Sequence, residues 1–374
     1  MHYNAVKTIV TEYKITKLQV TNFRNLNPDI ISFSNGINCI LGENGNGKTS
    51  ILEAINVLAT KKSFRKNTSF PQFLSIDGGK PEIIFSSVFE NDNNEKISYS
   101  SRMTNDSILW FIDGNPVKKK LDIKIVFINP FDSYGFHNNA SDRREWLDYF
   151  LSQLDSNYKR NLAKYTIALR FRNTLLKKKP FKYKEQIIAA DGEFSILSMY
   201  LTARRIEFLK EIEPYITQTF QKIFSERHNL QINLDSKIIN LSAISVQKIF
   251  LEGLEADCER GHTSYGPHKD DYVLLFNGLN SYDYCSLGQQ KMSYLSLLFA
   301  YIELFRYKYR SYPMVLIDDV SGELDQHRWR KLVEYLEKRE FQVLITTANE
   351  KFKEELDRIN GANKIHIKNG SVIQ

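Results

Sequence analysis

The residues whose types and spacing point most directly to chemistry are 42–49, which match GxxxxGK[ST] without a gap. Glycines in such a loop let backbone N–H groups turn toward phosphate oxygens, and the helix that follows presents its positive end to them. Lys48 would reach the β- and γ-phosphates of ATP, and the Thr49 hydroxyl would bind Mg²⁺. An ordinary glycine-rich turn is the alternative. The residues predicted to bind nucleotide here are Gly42, Glu43, Asn44, Gly45, Asn46, Gly47, Lys48, Thr49 and Ser50.

A second feature is a pair of carboxylates after an apolar segment, residues 314–317, that reads as a buried strand. Asp318 and Asp319 follow it at once, and adjacent carboxylates at a strand tip are costly unless they share a cation or a proton. We predict that Asp318 binds Mg²⁺ together with Thr49, and that Asp319 orients or activates the attacking water. The predicted catalytic residues are therefore Lys48, Asp318 and Asp319. A solvated Asp-Asp turn is the alternative.

A third feature, residues 286–290 (SLGQQ), opens a helical run that extends from 291 to about 305. Ser and Gly at a helix N-terminus form an anion-binding point, although a plain helix cap has the same appearance. The strand with Asp-Asp, the sequence SGELD at 321–325 and a strand at 342–347 that ends in hydroxyls follow in order. This order is typical of an ABC-type ATPase head. The SLGQQ segment would then cap the phosphates of its own P-loop, if the fold brings it there, or the γ-phosphate of ATP held by a second subunit. The residues of this segment that are predicted to contact the nucleotide are Ser286, Gly288 and Gln289.

The elements that position these groups are of both α and β type. Residues 36–41 read as a buried strand that enters the glycine loop, and apolar residues within 50–60 recur at helical spacing after it. Lys48 and Asp318 are 318 − 48 = 270 residues apart, which is too far for a compact small-molecule kinase. The two halves of the site therefore come from opposite ends of the chain.

Between these halves the spacing of apolar residues changes twice. Short alternating strands occupy 82–127, helical spacing dominates 142–176 and 193–224, and strand patterns return from Leu230. The sequence thus predicts an α/β fold, an ABC-type P-loop ATPase head assembled from both chain ends with an inserted helical domain. The predicted boundaries are a loose leader at 1–12, the first part of the head at 13–137, the helical insert at 138–228 and the second part of the head at 229–374.

Taken together, these motifs resemble the RecF family, bacterial DNA repair ATPases related to the SMC heads. The resemblance covers residues 15–347. The segments that carry it are NFRN at 22–25, FINPFD at 127–132, RREWLD at 143–148, RNTLL at 172–176, GPHKDD at 266–271 and the signature SLGQQ at 286–290. Lys269 stands where the family usually has Arg, and Gly322 where it usually has Ser. Asp319 stands where SMC heads carry Glu, and the shorter carboxylate implies slow hydrolysis.

The resemblance implies a function beyond what the spacing shows. The protein would bind ATP and dimerise head to head, each signature motif closing the site of the other subunit. The dimer would clamp DNA at a gap or a junction of single and double strand. With RecO and RecR, it would assist RecA loading in recombinational repair and replication. Weak, DNA-dependent hydrolysis would then release the DNA.

Composition sets wider limits on location and partners. Of 374 residues, 51 are Lys or Arg and 44 are Asp or Glu, a net charge of +7 that permits a nucleic acid partner. Cys39, Cys258 and Cys285 are far apart, which argues against a disulfide framework or a zinc site and favours a reducing cytoplasm. No apolar run approaches the ~18 residues of a membrane span. A cytoplasmic protein without a membrane association is expected.

Basic clusters mark candidate DNA contacts, and these would bind phosphates without reading bases. The alternative for each cluster is a solvated face. His268 and Arg24 each have two interpretations, a contact with nucleotide or a structural partner. The clusters are Lys61-Lys62 with Arg65-Lys66, residues 118–120, residues 177–179, and Arg204-Arg205.

Two further functions use the same P-loop. A metabolic phosphotransferase would need an acceptor pocket, for which no motif is evident. A nuclease-associated ATPase would need a further acidic domain, and 374 − 347 = 27 residues follow Thr347. Both are weaker hypotheses than an ATP-switched DNA-binding dimer.

Overall fold

The computed structural model describes residues 10–65, 67–76, 79–129, 132–224, 227–319, 325–338, 340–347, 356, 359 and 361–373. The chain divides into two compact units. The first comprises Met1–Phe131, Lys222–Ser225 and Ile302–Gln374, and the second comprises Asp132–Gln221 and Glu226–Tyr301. The first unit is thus built from both chain ends. Residues 229–301 group with the helices in the second unit, and the domain boundaries drawn from the sequence stay a prediction.

The described strands and helices follow one another along the chain in runs of either kind. In order, they are β1 (Tyr13–Thr21), β2 (Ile31–Ser32), β3 (Ile37–Leu41), α1 (Lys48–Thr60), β4 (Ile83–Asn91), β5 (Lys96–Met103), β6 (Ile108–Ile112), β7 (Asn115–Val117), β8 (Ile125–Ile128), α2 (Asp132–Asn138), α3 (Ala140–Leu154), α4 (Ser156–Lys178), α5 (Tyr183–Ile223), β9 (Leu230–Asp235), α6 (Ala243–Glu252), α7 (Leu254–Arg260), β10 (Asp271–Phe276), β11 (Leu279–Asn280), α8 (Ser281–Tyr284), α9 (Leu287–Tyr309), β12 (Met314–Asp318), α10 (Gln326–Glu337), β13 (Val343–Thr347), β14 (Asn363–Lys368) and β15 (Ser371–Ile373). Short 3₁₀ turns occur at Phe70–Phe73 and Pro267–Lys269.

A sheet in the first unit carries the glycine loop and both aspartates. Within the described residues its strand order is β15-β14-β3-β13-β12-β8, and all neighbours are parallel except β14 and β15. The N-terminal strand β3 lies between β14 and β13 from the other end of the chain. Parallel strands buried on both faces read as continuous apolar runs, as β12 does. The predicted assembly from both chain ends is confirmed.

A second, antiparallel sheet of the first unit has the order β2-β1-β4-β5-β6-β7 among the described strands. The apolar face of α1 shares one core with both sheets, since Ile51 and Ile55 cluster with Phe85 of one sheet and Leu316 of the other. Buried Gln342 links the chain ends: its Oε1 accepts from the Ile15 N–H at 2.8 Å and its Nε2 donates to the Ile15 carbonyl at 2.7 Å.

The second unit contains α3, α4 and α5 and the small sheet β11-β10-β9. Helices α6 and α7 lie between β9 and β10, in a region where the sequence indicated a return of strands and no helix was predicted. The local signals were present: the Ser242 side chain accepts from the Ser245 N–H as an N-cap, and Gly261 ends α7 at φ 72°. Helices this short depend on tertiary packing, and their pattern in the sequence is correspondingly weak.

Candidate nucleotide site

The loop between β3 and α1 has the backbone conformation that a phosphate-binding loop needs. Gly45 and Gly47 have φ values of 82° and 103°, in the left-handed region that favours glycine. A Cβ on Gly47 would lie 3.0 Å from Leu26 Cδ2 and 3.4 Å from Asn25 Oδ1, so the position has little room for a side chain. Because α1 begins at Lys48, its first unpaired N–H groups face the loop, which makes the loop an anion-binding site.

Neighbouring segments hold the loop in this shape. The Asn25 side chain donates to the Gly45 carbonyl at 2.7 Å and accepts from the Ser50 hydroxyl at 2.8 Å. The Gly370 N–H, in the turn between β14 and β15, donates to the Asn46 carbonyl at 3.0 Å. Asn25 belongs to the NFRN segment, which the sequence singled out without giving it a role at the loop. The loop is thus preorganised from both chain ends.

Lys48 is buried and points along its own loop. Its Nζ donates to the carbonyls of Gly42 and Glu43 at 2.8 and 2.9 Å, and 7% of the residue is exposed. Burial lowers the pKa of Lys48, while the charges of Asp319 and Asp318 act in the opposite direction. An ammonium group that is desolvated and close to two carboxylates is suited to bind phosphate oxygens.

Two hydroxyls converge on a single carboxylate oxygen at the end of β12. Asp318 Oδ1 accepts from Thr49 Oγ1 at 2.9 Å and from Thr346 Oγ1 at 2.8 Å. Burial raises the pKa of Asp318, and the nearby charge of Asp319 adds to the rise, while the two hydroxyl hydrogen bonds lower it. The predicted metal ligands Thr49 and Asp318 are therefore in direct contact. Thr346 was not predicted, although its strand was noted to end in hydroxyls.

Asp319 occupies a strained position beside this contact. Its φ is 45°, which is uncommon for a residue other than glycine, and its N–H donates to Thr346 Oγ1 at 3.1 Å. Strain of this kind concentrates at functional sites. Thr346 therefore fixes both aspartates, one through its proton and the other through its oxygen.

The loop and the aspartates line one cavity of about 530 Å³, large enough for a nucleotide. Arg24 and Arg65 also line it, and both pair with the buried carboxylate of Glu53. Arg24 makes two contacts, at 2.7 and 3.0 Å, and Arg65 one at 3.3 Å. Of the two interpretations of Arg24, the pairing with a structural partner is the one that the structure shows. Arg65, which the sequence placed among the candidate DNA contacts, pairs with Glu53 and lines this cavity.

The residues present fit ATP and Mg²⁺. A hydroxyl and a carboxylate already in contact are oxygen ligands of the kind that Mg²⁺ prefers, and Mg²⁺ usually takes one or two carboxylates together with substrate phosphates. The described part of the chain contains no group of three or more His, Cys, Asp or Glu side chains that could hold a metal ion.

The signature residues belong to the second unit. Ser286 and Gln289 form a capping box at the start of α9, since the Gln289 N–H donates to Ser286 Oγ at 3.3 Å and the Ser286 N–H to Gln289 Oε1 at 2.9 Å. Ser286 and Gly288 are exposed, and Leu287 between them is 67% exposed. Gln290 is buried and anchors the segment through the carbonyls of α8. The start of α9 is thus held in shape by its capping box and by Gln290, while Ser286, Leu287 and Gly288 are exposed at the surface of the second unit.

Several charged residues of the other motifs form ion pairs in the second unit. Arg205 donates to Asp148 at 2.8 and 3.0 Å and to Asp270 at 2.8 Å, and its side chain is 2% exposed. Arg204 pairs with Asp155 at 2.8 Å. The Arg204-Arg205 cluster therefore cannot be a DNA surface, and that expectation is wrong. In the same unit Arg143 pairs with Asp271, which joins the RREWLD and GPHKDD segments, and Arg172 of RNTLL pairs with Asp191 and Asp257 outside these segments.

His268 has a structural role. Its Nε2 donates to the Thr263 carbonyl at 3.0 Å, which leaves Nδ1 to accept from the Tyr165 hydroxyl at 2.6 Å. Burial lowers the pKa of His268 to about 4, so the ring is neutral. Of the other predicted segments, 130–131 and 321–324 lie outside the described residues.

Known proteins share this architecture over nearly the whole chain. The family model described as RecF/RecN/SMC N terminal domain matches residues 14–369. The DNA replication and repair protein RecF of Streptococcus suis is 30% identical over 96% of this chain and 99% of its own length. Its counterpart from Thermoanaerobacter pseudethanolicus is 29% identical, with the same coverage of both chains.

Solved structures agree on the fold. The recombination mediator protein RecF-ATP of the RecFOR pathway superposes with a TM-score of 0.84 at 24% identity, over 100% of this chain and 99% of that one. The Smc head domain of Pyrococcus furiosus, with an extended coiled coil and bound to the C-terminal domain of ScpA, gives 0.58 at 15% identity, over 96% and 95%.

The fold and its glycine loop define an ABC-type ATPase head with an inserted helical part. Of the helices in the described part of the chain, none has the length and apolar character that a membrane crossing requires. The chain belongs to the RecF family of DNA replication and repair proteins.

Proposed function

We propose that this protein is an ATP-switched DNA-binding protein of recombinational gap repair and replication maintenance. The observation that carries the proposal is the convergence of Thr49 and Thr346 on Asp318 beside the buried Lys48, in a cavity of about 530 Å³. Such an arrangement of loop, ammonium and carboxylate is suited to hold a nucleoside triphosphate with its cation.

The site residues would divide the work as follows. The N–H groups of the glycine loop and the Lys48 ammonium bind the phosphates, and Thr49 with Asp318 would hold Mg²⁺, which when bound neutralises phosphate charge. Asp319 orients the attacking water. Its side chain is one methylene shorter than glutamate, so we expect hydrolysis that is slow and serves to reset a switch.

The exposed signature supports a site completed by a second subunit. Ser286, Leu287 and Gly288 are exposed at the start of α9, and Tyr282 and Tyr284 close by are 53% and 69% exposed. A helix start that displays polar groups among apolar side chains can contact phosphates and a protein surface together. We infer that ATP joins two heads, with Ser286, Gly288 and Gln289 of one head facing the phosphates held by the other.

The proposed substrate is DNA at a gap or a junction of single and double strand. The net charge of +7 and the exposed Lys61, Lys62, Lys118 and Lys119 support contacts with the backbone. The relatives are named DNA replication and repair proteins, and a solved relative is placed in the RecFOR pathway. We therefore propose RecO and RecR as partners in the cytoplasm, with RecA loading as the outcome.

Light scattering with no nucleotide, ADP or a slowly hydrolysed ATP analogue tests the switch. We expect the mass to double with the ATP analogue alone, and Lys48→Ala and Ser286→Arg to prevent the doubling. Ser107→Arg, an exposed serine of the first unit, is the matched control and should dimerise as the wild type does. A monomer in every state with normal ATP hydrolysis would favour a phosphotransferase instead.

A further inference from the structure

Helix α4 is unusually basic and lies away from the nucleotide site in sequence. Its 23 residues include seven Lys or Arg and no Asp or Glu. One of the seven, Arg172, is buried in ion pairs with Asp191 and Asp257. The other six are exposed, namely Lys159, Arg160, Lys164, Arg170, Lys177 and Lys178. The nucleotide site uses none of them.

These charges share a face with exposed apolar side chains. Arg160, Lys164, Ile167, Phe171, Thr174 and Lys178 follow one another at intervals of four and three residues, which places them in one line along the helix. We call this line the α4 stripe. Ile167 is 67% exposed and Phe171 49% exposed, while Tyr158, Tyr165 and Leu176 bury the opposite face. The stripe extends over about 27 Å.

A groove and an exposed ring adjoin the stripe. Arg170, Lys177 and Lys178 line a cavity of about 420 Å³ together with Thr174 and Gly261. Beyond the end of α4, Phe181 is 86% exposed, and Lys182 Nζ lies 5.5 Å from the centre of its ring. Cations in a groove with aromatic rings at its side are the elements of a single-strand binding surface.

The chemistry of the stripe selects among possible occupants. A second copy docked stripe to stripe would bring the same positive charges together, and their repulsion disfavours that association. Duplex DNA would engage the cations but leave the rings without a role, since its bases are stacked inside the helix. An unpaired strand offers both phosphates and free base faces, and stacking on an aromatic ring is worth about 1–3 kcal/mol per base.

We propose that the α4 stripe binds single-stranded DNA, with phosphates in the groove lined by Arg170 and Lys177 and bases stacked on Phe171 and Phe181. The inference rests on the proposed function in that it takes DNA as the partner. It adds a place for the unpaired strand, on a helix of the second unit. This contact needs no nucleotide, because it uses no residue of the ATP site.

Fluorescence anisotropy with a labelled thymidine oligomer of about 20 nucleotides and a duplex of equal length tests the inference, without ATP. The charge variant is Arg170→Glu/Lys177→Glu, the stacking variant is Phe171→Ala/Phe181→Ala, and Lys210→Glu/Lys248→Glu is a charge-matched control at exposed sites. ATP binding by each variant reports its integrity.

We expect the stacking variant to weaken binding of the oligomer at least about fivefold for each ring removed, with little change for the duplex. The charge variant should weaken it at least tenfold and lower the salt slope by about 1.4, since each phosphate contact contributes about 0.7 on a single strand. The control should behave as the wild type does.

Retained binding of the oligomer by both the charge variant and the stacking variant would overturn the inference while leaving the proposed function intact. Equal losses for duplex and oligomer in the charge variant, with no effect of the rings, would also overturn it. If the wild type bound an acidic, aromatic peptide through the stripe and bound neither DNA, the surface would be a protein-docking site. That result would count against DNA as the partner, and ATP-dependent dimerisation would be judged separately.

Discussion

The substitution Thr346→Val tests whether the Thr346 hydroxyl, whose role the sequence did not predict, holds Asp318 and Asp319 in place for binding Mg²⁺ and ATP. Thr346 is 1% exposed, and its Oγ1 donates to Asp318 at 2.8 Å while accepting from the Asp319 N–H at 3.1 Å. Valine has nearly the same shape and cannot make either hydrogen bond. The substitution therefore removes the link between the two aspartates with little change in packing.

Two estimates of the magnitude agree. A hydrogen bond to a charged group contributes about 1.5–3 kcal/mol. Removing a residue that orients a metal ligand typically lowers metal affinity about 10- to 100-fold, which corresponds to about 1.4–2.7 kcal/mol. We therefore expect the Kd for ATP with Mg²⁺ to rise about 10- to 100-fold in Thr346→Val, with little change when Mg²⁺ is removed by EDTA.

The loss of Mg²⁺-dependent ATP binding in Thr346→Val should become larger as the pH falls. The pKa of Asp318 is already raised by burial, and the Thr346 hydrogen bond lowers it, so valine would raise it further. Because a proton competes with the metal for the carboxylate, binding that depends on Mg²⁺ should weaken as pH falls, and earlier in the variant than in the wild type.

Titration with a fluorescent ATP analogue, with and without Mg²⁺, measures these effects. Thr346→Ser keeps the hydroxyl and should restore binding to within a few-fold of the wild type. If Thr346→Val bound Mg²⁺-ATP as tightly as the wild type, or Thr346→Ser as weakly as the valine variant, the role assigned to this hydroxyl would be refuted.

Further predictions concern the loop and the second unit. Gly47→Ala should lower the free energy of unfolding by about 1–3 kcal/mol and impair ATP binding, because φ is 103° and Leu26 lies 3.0 Å from the added Cβ. Unchanged urea denaturation and unchanged nucleotide affinity would contradict this prediction. Arg205→Met should lower the free energy of unfolding by about 3–5 kcal/mol, because it leaves buried Asp270 without its partner. Arg204→Met, which breaks a less buried pair with Asp155, should lower it by about 1 kcal/mol. Equal urea midpoints for the two variants would refute this difference. Since the pKa of His268 is lowered to about 4, the unfolded state takes up a proton below its ordinary pKa of about 6.5 and the folded state does not. Stability should therefore fall from pH 7 to 5 by about 2 kcal/mol, and His268→Gln should lack that part of the loss in urea titrations at the two pH values.

The glycine loop and the carboxylates could be predicted because their signals are local. A gapless motif between an apolar strand and a helical pattern determines both the loop and the start of α1, and Asp318 follows its strand directly. Two hairpin turns also have a local sequence signal, since Asp113-Gly114 and Asn369-Gly370 are dipeptides of the type that favours positive φ, and both positions of each have it.

The role of Thr346 could not be predicted in the same way. It depends on the parallel register that pairs Asp318 with Thr346 across β12 and β13, which is a property of the sheet. Arg205 and His268 present the same difficulty, because their partners Asp270 and Tyr165 are far away in sequence. A basic residue in an isolated segment gives no sign of whether it meets solvent, DNA or a buried carboxylate.

The central claim is that the P-loop of one chain and the signature of another form one site. Mixing Lys48→Ala with Ser286→Arg in equal amounts tests it, with ATP hydrolysis as the readout. In a mixed dimer one site combines the intact loop of the Ser286→Arg chain with the intact signature of the Lys48→Ala chain. We predict almost no activity for each variant alone and about a quarter of the wild-type activity for the mixture. Activity of the mixture no greater than the average of the two variants alone would contradict a shared site.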